Sequence, residues 1–239
     1  MKSAQTIAVI PARSGSKGIP NKNILKIRDK TLIEIAIEQA KQIKGIDQII
    51  FSSDSQKYCQ IAKQVGANSL GLRSPELSTD KTKTIDVLLD IANYFSELDT
   101  ILLLQPTSPV RSVADIQKAL DYSIRYRKTV ISVSEVEEPH PLKMFVLRNK
   151  NELRPYTKSE KYNSEMPRQS LPPVFRLNGA FYCINLEEMI KNKKIISNNS
   201  IAQITTMYPN IDTINDFQYI NWMIETGKEL PNDFLNIFL

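Results

Sequence analysis

The chain is 239 residues long, 41% hydrophobic and 24% charged, which is enough apolar material for an ordinary globular core and excludes a disordered chain. Its net charge of +5, from 31 cationic and 26 anionic side chains, suits a protein with an anionic ligand and is too mild for a dedicated nucleic-acid binder. Two cysteines (Cys59, Cys183) and one histidine (His140) exclude a disulfide scaffold, a cysteine zinc site and any mechanism that needs a histidine pair.

From the amino terminus, residues 6–10 predict a buried strand. Apolar residues at 32, 33, 36, 37, 40 and 43 follow helical spacing, with Gly45 where such a helix stops. A strand over 48–52, a helix ending at Gly66, a helix over 84–98, a strand over 100–104, a helix over 113–126 and a strand over 129–133 follow. Nearly unbroken apolar strands alternating with helices predict a mainly parallel sheet covered on both faces, a three-layer α/β/α arrangement. Near residue 138 the rhythm stops. Six of the thirteen prolines lie between Pro139 and Pro173, and residues 143–176 hold eight Lys/Arg against three Glu. This predicts an arm over about 138–177, with short strands such as 144–147, inserted into a single domain spanning 1–239. Strands over 180–184 and 202–207 and helices over 186–191 and 213–225 complete the reading. On the closing helix Phe217, Tyr219 and Trp222 are expected in the core. The longest apolar runs, such as 101–104, are far too short to span a bilayer. Nothing at the start reads as a secretory leader, and the cytoplasm is the expected compartment.

The stretch Arg13-Ser14-Gly15-Ser16-Lys17-Gly18-Ile19-Pro20-Asn21-Lys22-Asn23 follows the first strand and precedes the first helix. In open α/β sheets ligands dock at that edge. Three cations, two glycines, two serines and no acid suit a loop that wraps phosphates, with N–H and hydroxyl donors beside neutralising charges. A solvated loop is the plain alternative. The stretch is neither a P-loop nor G-x-G-x-x-G. Gly15-Ser16-Lys17-Gly18 matches the GXXG clamp of KH RNA-binding modules, but that clamp joins two helices, whereas this one follows a strand and is closed by Pro20. Further on, Gln105-Pro106-Thr107-Ser108-Pro109 is a turn stiffened by two prolines at the same edge, presenting Gln105 at low entropic cost. Helix capping competes with binding as the role of Asp80 and Thr84, and of Ser108 or Ser112. His140, between two prolines, reads as a loop residue; Cys59 and Cys183 read as small packing residues.

Taken whole, this stretch resembles the signature of the cytidylyltransferases that activate sialic-acid-type sugars, including the CMP-N-acetylneuraminate and CMP-legionaminate synthetases. The resemblance continues in order through 52–55, 72–78, 104–111, 140–143, Pro167-Arg168-Gln169 and Arg176-Leu177-Asn178-Gly179-Ala180, spanning residues 5 to about 218. It implies a Rossmann-like fold with a protruding dimerisation arm, a cytoplasmic homodimer, and no nucleic-acid or membrane partner. The implied reaction is CTP plus a nine-carbon keto-acid sugar giving the CMP-sugar and pyrophosphate, for bacterial surface glycans such as lipopolysaccharide or capsule. The alternatives are CMP transfer to a Kdo-type acid or pseudaminic acid, or a non-catalytic nucleotide- or RNA-binding module.

By that resemblance Arg13, Ser16, Lys17, Lys22 and Asn23 bind the triphosphate and cytosine, with Arg73, Asp80 and Thr84 completing the nucleotide site. Arg13 and Lys22 stabilise the charge of the leaving pyrophosphate. Gln105 meets the sugar, Arg168 grips its carboxylate through paired N–H donors, Lys143, Arg176 and Asn178 stand nearby, and Tyr182 packs along it. Arg13 and Lys22 are expected to face the cleft that Arg168 lines. A divalent cation, normally Mg2+, is implied on phosphate oxygens and protein carboxylates. The family's late Asp-x-Asp pair falls on Asn210-Ile211-Asp212, so Asp212 keeps the second acid while Asn210 offers a neutral oxygen in place of the first. Asp216 either assists or caps the last helix.

Overall fold

The computed structural model describes residues 4–15, 18–136, 138–149, 151–159 and 161–238. In chain order the elements are β1 (Gln5–Pro11), β2 (Lys26–Ile27), β3 (Lys30–Thr31), α1 (Leu32–Lys41), β4 (Gln48–Ser52), α2 (Gln56–Gln64), α3 (Thr84–Ala92), β5 (Leu98–Leu103), α4 (Val113–Tyr126), β6 (Val130–Glu135), β7 (Phe145–Arg148), β8 (Glu152–Pro155), β9 (Phe175–Asn185), α5 (Leu186–Asn192), β10 (Ile201–Ile204) and α6 (Ile214–Thr226).

Six strands form one sheet in the order β10-β6-β9-β5-β1-β4. The pairs β1–β4, β1–β5 and β6–β10 are parallel, and β9 alone runs against its neighbours β5 and β6. Alternation along β1 shows why the strands read as unbroken apolar runs. Ile7 and Val9 point into a layer with Val87, Leu88 and Ile91 of α3 and Met189 of α5. Ala8 and Ile10 point into the opposite layer with Ile33 and Ile37 of α1, Ile116 and Leu120 of α4, and Met223 of α6. Each face of the sheet is therefore desolvated by its own helices, the three-layer arrangement expected from the sequence. No helix among the described residues is long and apolar enough to cross a membrane.

Four expectations need correction. The helix expected over 84–98 ends at Ala92, and Leu98 already pairs with Gln5; Tyr94 and Phe95 extend the apolar period through what is a turn. The strand expected over 180–184 begins at Phe175, so Arg176 and Asn178 lie within β9. Asp80 does not cap α3: its N-cap is Lys83, whose N–H is taken by Asp86 Oδ2 at 3.3 Å. Finally, Tyr219 and Trp222 are 37% and 41% exposed and stack on each other at 5.8 Å, while only Phe217 packs on the core. The turn before α4 behaves as expected, with Ser112 Oγ accepting from Asp115 N at 3.1 Å.

Beyond β6 the chain leaves the sheet, forms the exposed hairpin β7–β8, and returns into β9, where Val136 N donates to Val174 O at 2.9 Å.

Candidate active site

The carboxyl ends of β1, β4 and β5 frame the site. After β1, Ala12 N still bonds to Ser52 O at 2.9 Å, carrying the β1–β4 pairing one residue further. Ser14 then donates through both N and Oγ to Asp54, each at 2.8 Å, stapling the loop to a residue two past the end of β4. Ser16 and Lys17 lie outside the described residues. A Cβ at Gly18 would sit 2.7 Å from the carbonyl oxygen of Asp212, so glycine allows the loop to rest on the 210–212 segment. Asn21 takes a left-handed conformation (φ 53°), turning the chain into the short helical turn Lys22–Ile24, and Tyr58 Oη donates to its side chain at 3.3 Å. Buried Asn23 donates Nδ2 to Arg13 O at 3.0 Å, closing the loop on itself. That bond gives Asn23 a role in shaping the loop beside the nucleotide contact expected of it.

Five of the sequence-predicted residues, Arg13, Arg73, Asp80, Thr84 and Gln105, line one cavity of about 210 Å³ at this edge. Arg13 and Asp80 form an ion pair across it. Arg73 is fixed from its backbone, N to Ser53 O at 2.8 Å, and its Nε donates to Ser78 Oγ at 3.2 Å. Beside the loop, Lys22 Nζ donates to Ile211 O at 2.6 Å and to Asp212 Oδ1 at 3.0 Å, while Ser108 Oγ donates to Asn210 Oδ1. The cationic loop, the Gln105 turn and the Asn210–Asp212 segment thus meet at one sheet edge. Asp216 caps α6: its Oδ2 accepts from Asp212 N and from Thr213 N and Oγ1.

Other candidates lie apart from that cavity. Arg168 lines a second cavity of about 310 Å³ with His140, Val136 and Pro172, and the two cavities share no lining residue. Its Nη2 reaches Val136 O at 3.4 Å and its Nε lies 4.0 Å from Glu138. Within one chain, then, Arg13 and Arg168 line different cavities, where one cleft lined by both was expected, and Lys22 lines neither of the two. Lys143 follows in a helical turn held by Lys143 N to His140 O at 2.8 Å. His140 is buried, with Nδ1 accepting from Leu142 N and Nε2 facing Pro172 O at 3.1 Å, as expected of a loop residue. Arg176 is exposed on β9 opposite Ser134. Asn178 is buried and its amide is spent inside the protein: Nδ2 donates to Ser134 Oγ and Thr205 Oγ1, and Oδ1 accepts from Ala180 N. Its first role in this fold is to tie β9 to β6 and to Thr205, the residue after β10. Tyr182 is half-buried against the Ile7–Leu103 layer, and that burial raises its phenol pKa.

A cytidylyltransferase family model matches residues 7–217, nearly the whole of this architecture. The chain belongs to the cytidylyltransferase family. It is 32% identical to the CMP-N,N'-diacetyllegionaminic acid synthase of Legionella pneumophila, over 93% of this chain and 97% of that protein. It is 34% identical to the N-acylneuraminate cytidylyltransferase of Streptococcus agalactiae, over 90% of this chain and 52% of that protein, so it spans about half the length of that relative. In fold it resembles a CMP:2-keto-3-deoxy-manno-octonic acid synthetase complexed with CTP, with a TM-score of 0.70 at 17% identity, over 93% of this chain and 99% of that one.

Two residues of this cytidylyltransferase chain lie in segments that carry the resemblance but were given no role from sequence. One is Arg111, a lone charge amid Val110 and Val113. The other is Asp54, two residues past the end of β4. Burial works to raise the Asp54 pKa, but the Ser14 hydroxyl and N–H and the Arg73 charge outweigh it and hold the carboxyl below its ordinary range. Asp54→Ala should therefore cost about 1 kcal/mol at neutral pH, because two charge-assisted hydrogen bonds are lost from a partly solvated group. A carboxyl whose pKa is lowered on folding stabilises fully above its unfolded value, about 4, and loses that contribution as pH falls through the folded one. Urea titrations of wild type and variant should differ at pH 7 and converge in acid; a gap that persists or widens in acid would remove the charged staple.

Proposed function

We propose that this chain transfers CMP from CTP to the anomeric hydroxyl of a nine-carbon keto-acid sugar, releasing pyrophosphate. The observation that carries the reading is the convergence of Arg13, Arg73, Asp80, Thr84 and Gln105 on one cavity, with Lys22 and Asp212 beside it at the same sheet edge. The full-length correspondence with the legionaminate enzyme supports a nonulosonic acid of that type as acceptor. CTP as donor places the reaction in the cytoplasm, and the product would feed surface glycans such as lipopolysaccharide or capsule.

In this reading the sugar's C2 hydroxyl attacks the α-phosphorus in line. The new C2–O–P bond forms as the α–β phosphoanhydride breaks, and its electrons leave with pyrophosphate. Arg13 and Lys22 offset the charge gathering on the departing phosphates. Ser16, Lys17, Asn23 and Arg73 position the nucleotide, and Thr84 and Asp80 close its cavity. Gln105 orients the acceptor, and the hydroxyl proton leaves through a water held by the Asp212 carboxylate. Most of the rate comes from placement and charge stabilisation, as in other phosphoryl transfers.

The donor set also suits Mg2+. Among the described residues no cluster of three or more His, Cys, Asp or Glu forms a cage, but the Asp212 side chain is 77% exposed, two residues past Asn210, whose amide oxygen accepts from Ser108. One carboxylate, with phosphate and water supplying the rest, is how Mg2+ is commonly held. Bound there, it would neutralise phosphate charge. Asp212→Asn should reduce turnover by about 100-fold or more while CTP affinity changes far less, read by single-turnover rates against CTP titration. Retained turnover would remove Asp212 from the chemistry.

The segment over 138–177 is assigned as a dimerisation arm of a single domain, delivering Arg168, Lys143 and Arg176 to the partner subunit's site. Hairpin β7–β8 supports this: Leu147, Leu153 and Tyr156 are 66%, 61% and 67% exposed, apolar surface that calls for a cover. The deciding experiment for the reaction is pyrophosphate release from CTP with Mg2+ across legionaminic, N-acetylneuraminic, pseudaminic and Kdo acids. Release with a nine-carbon acid upholds the reading; no release with any acid overturns it.

A further inference from the structure

Between β5 and α4 lies a charge that the site as described does not use. The Arg111 side chain is 0% exposed, and its guanidinium donates to three separate elements. Nε bonds to Ala180 O on β9, Nη1 to Gln39 Oε1 on α1 at 2.6 Å, and Nη2 to Gln105 O at the start of the turn. All three acceptors are neutral oxygens. Burial draws its pKa down to about 9, so it remains cationic at neutral pH. A desolvated charge is costly to bury, and a structural clamp alone could be built from apolar residues. Gln39 is equally buried and closes the far end of the same turn, donating Nε2 to Pro109 O at 2.8 Å.

The turn so held does two things at once. Its first residue, Gln105, lines the nucleotide cavity. Its middle docks the late acidic segment, with Ile211 N donating to Thr107 O at 2.7 Å and Ser108 Oγ to Asn210 Oδ1. Ile211 O in turn receives Lys22 Nζ at 2.6 Å. A continuous run of hydrogen bonds therefore leads from Arg111 through the turn to Asn210–Asp212 and the phosphate-loop lysine.

The geometry points to Arg111 as a positioning residue for the transfer, a buried guanidinium that sets the 105–109 turn and through it both Gln105 and the Asn210–Asp212 segment. The assignment rests on the cytidylyltransferase reading above. Lysine cannot replace it, because one ammonium has no planar fork to span three fixed acceptors. Arg111→Lys and the milder Gln39→Met, each made in the full chain, test it by steady-state kinetics and by amide hydrogen exchange over 105–111 and 210–212. Expected are faster exchange in both segments together and a kcat lowered about 10- to 100-fold, with both KM values changed less than kcat. A variant that melts earlier but keeps kcat within about twofold would show a merely structural role and overturn the assignment. If Arg111→Lys does not fold, Gln39→Met is judged by the same criterion. Should the wild type release no pyrophosphate with any acid, the functional reading fails on its own. Exchange still decides the positioning: joint loss of protection upholds it, and loss confined to 105–111 overturns it.

Discussion

Arg13→Ala is expected to lower kcat/KM for CTP by about 100- to 1,000-fold, the cost of deleting one donor aimed at developing phosphate charge. The fold should survive, because the side chain is 34% exposed and removing it opens no void in the core. Arg13 is held by Asp80, and Lys22 by Asp212, so phosphate oxygens must compete with a carboxylate at each cation. Arg13→Lys, which keeps the charge but not the planar fork, should fall between wild type and Ala. CTP titration and initial rates at one salt concentration measure this. If Arg13→Ala kept its kcat/KM within about threefold, the loop could not be the phosphate cradle.

The second large effect concerns the acceptor. Arg168→Met is expected to raise KM for the sugar acid by about 100-fold while leaving CTP binding alone, since the paired guanidinium–carboxylate hydrogen bonds are lost. Arg168 and Arg13 line separate cavities in one chain, and the proposed arm assigns Arg168 to the partner subunit's site. Complementation measures that directly. Co-expressed Arg13→Ala and Arg168→Met chains should recover about a quarter of wild-type activity, because random two-fold pairing gives mixed dimers half the time and each contains one intact site. Each variant alone should stay nearly inactive. No recovery from a verified mixed dimer would place Arg168 on its own chain's site, or on none.

Much of the fold was legible because its signal is local. Ile7–Ile10 and Ile101–Leu104 are apolar at every position, which a strand tolerates only when both faces are covered. Boundaries were read less well where side chains obeyed one rule and the backbone another. Tyr94 and Phe95 keep the period of α3 after it has ended, and polar Arg176 and Asn178 disguise the first half of β9. Trp222 and Tyr219 cover each other instead of entering the core, an arrangement periodicity cannot distinguish from burial. The site was legible as a composition, a basic Gly/Ser loop after the first strand, and its members were supplied by resemblance. The partnerships were not legible, because they are set by distant chain crossings. Asp80 meets Arg13 from 67 residues away, and Asp54 meets Ser14 from 40. Arg111 was hidden for a different reason: its acceptors are two peptide carbonyls and an amide, which carry no charge signal in a sequence.

The single reversed strand settles where novelty can enter this scaffold. A strand running against its neighbours starts where they finish, so the 136–174 excursion between β6 and β9 both departs and comes home on the sheet edge that carries the Arg13 cavity. Residues can be added, removed or rewritten there without threading a new crossover through either helical layer. The excursion works as a graft port: its tip can be exchanged while Glu135 opposite Phe175 keeps the graft anchored.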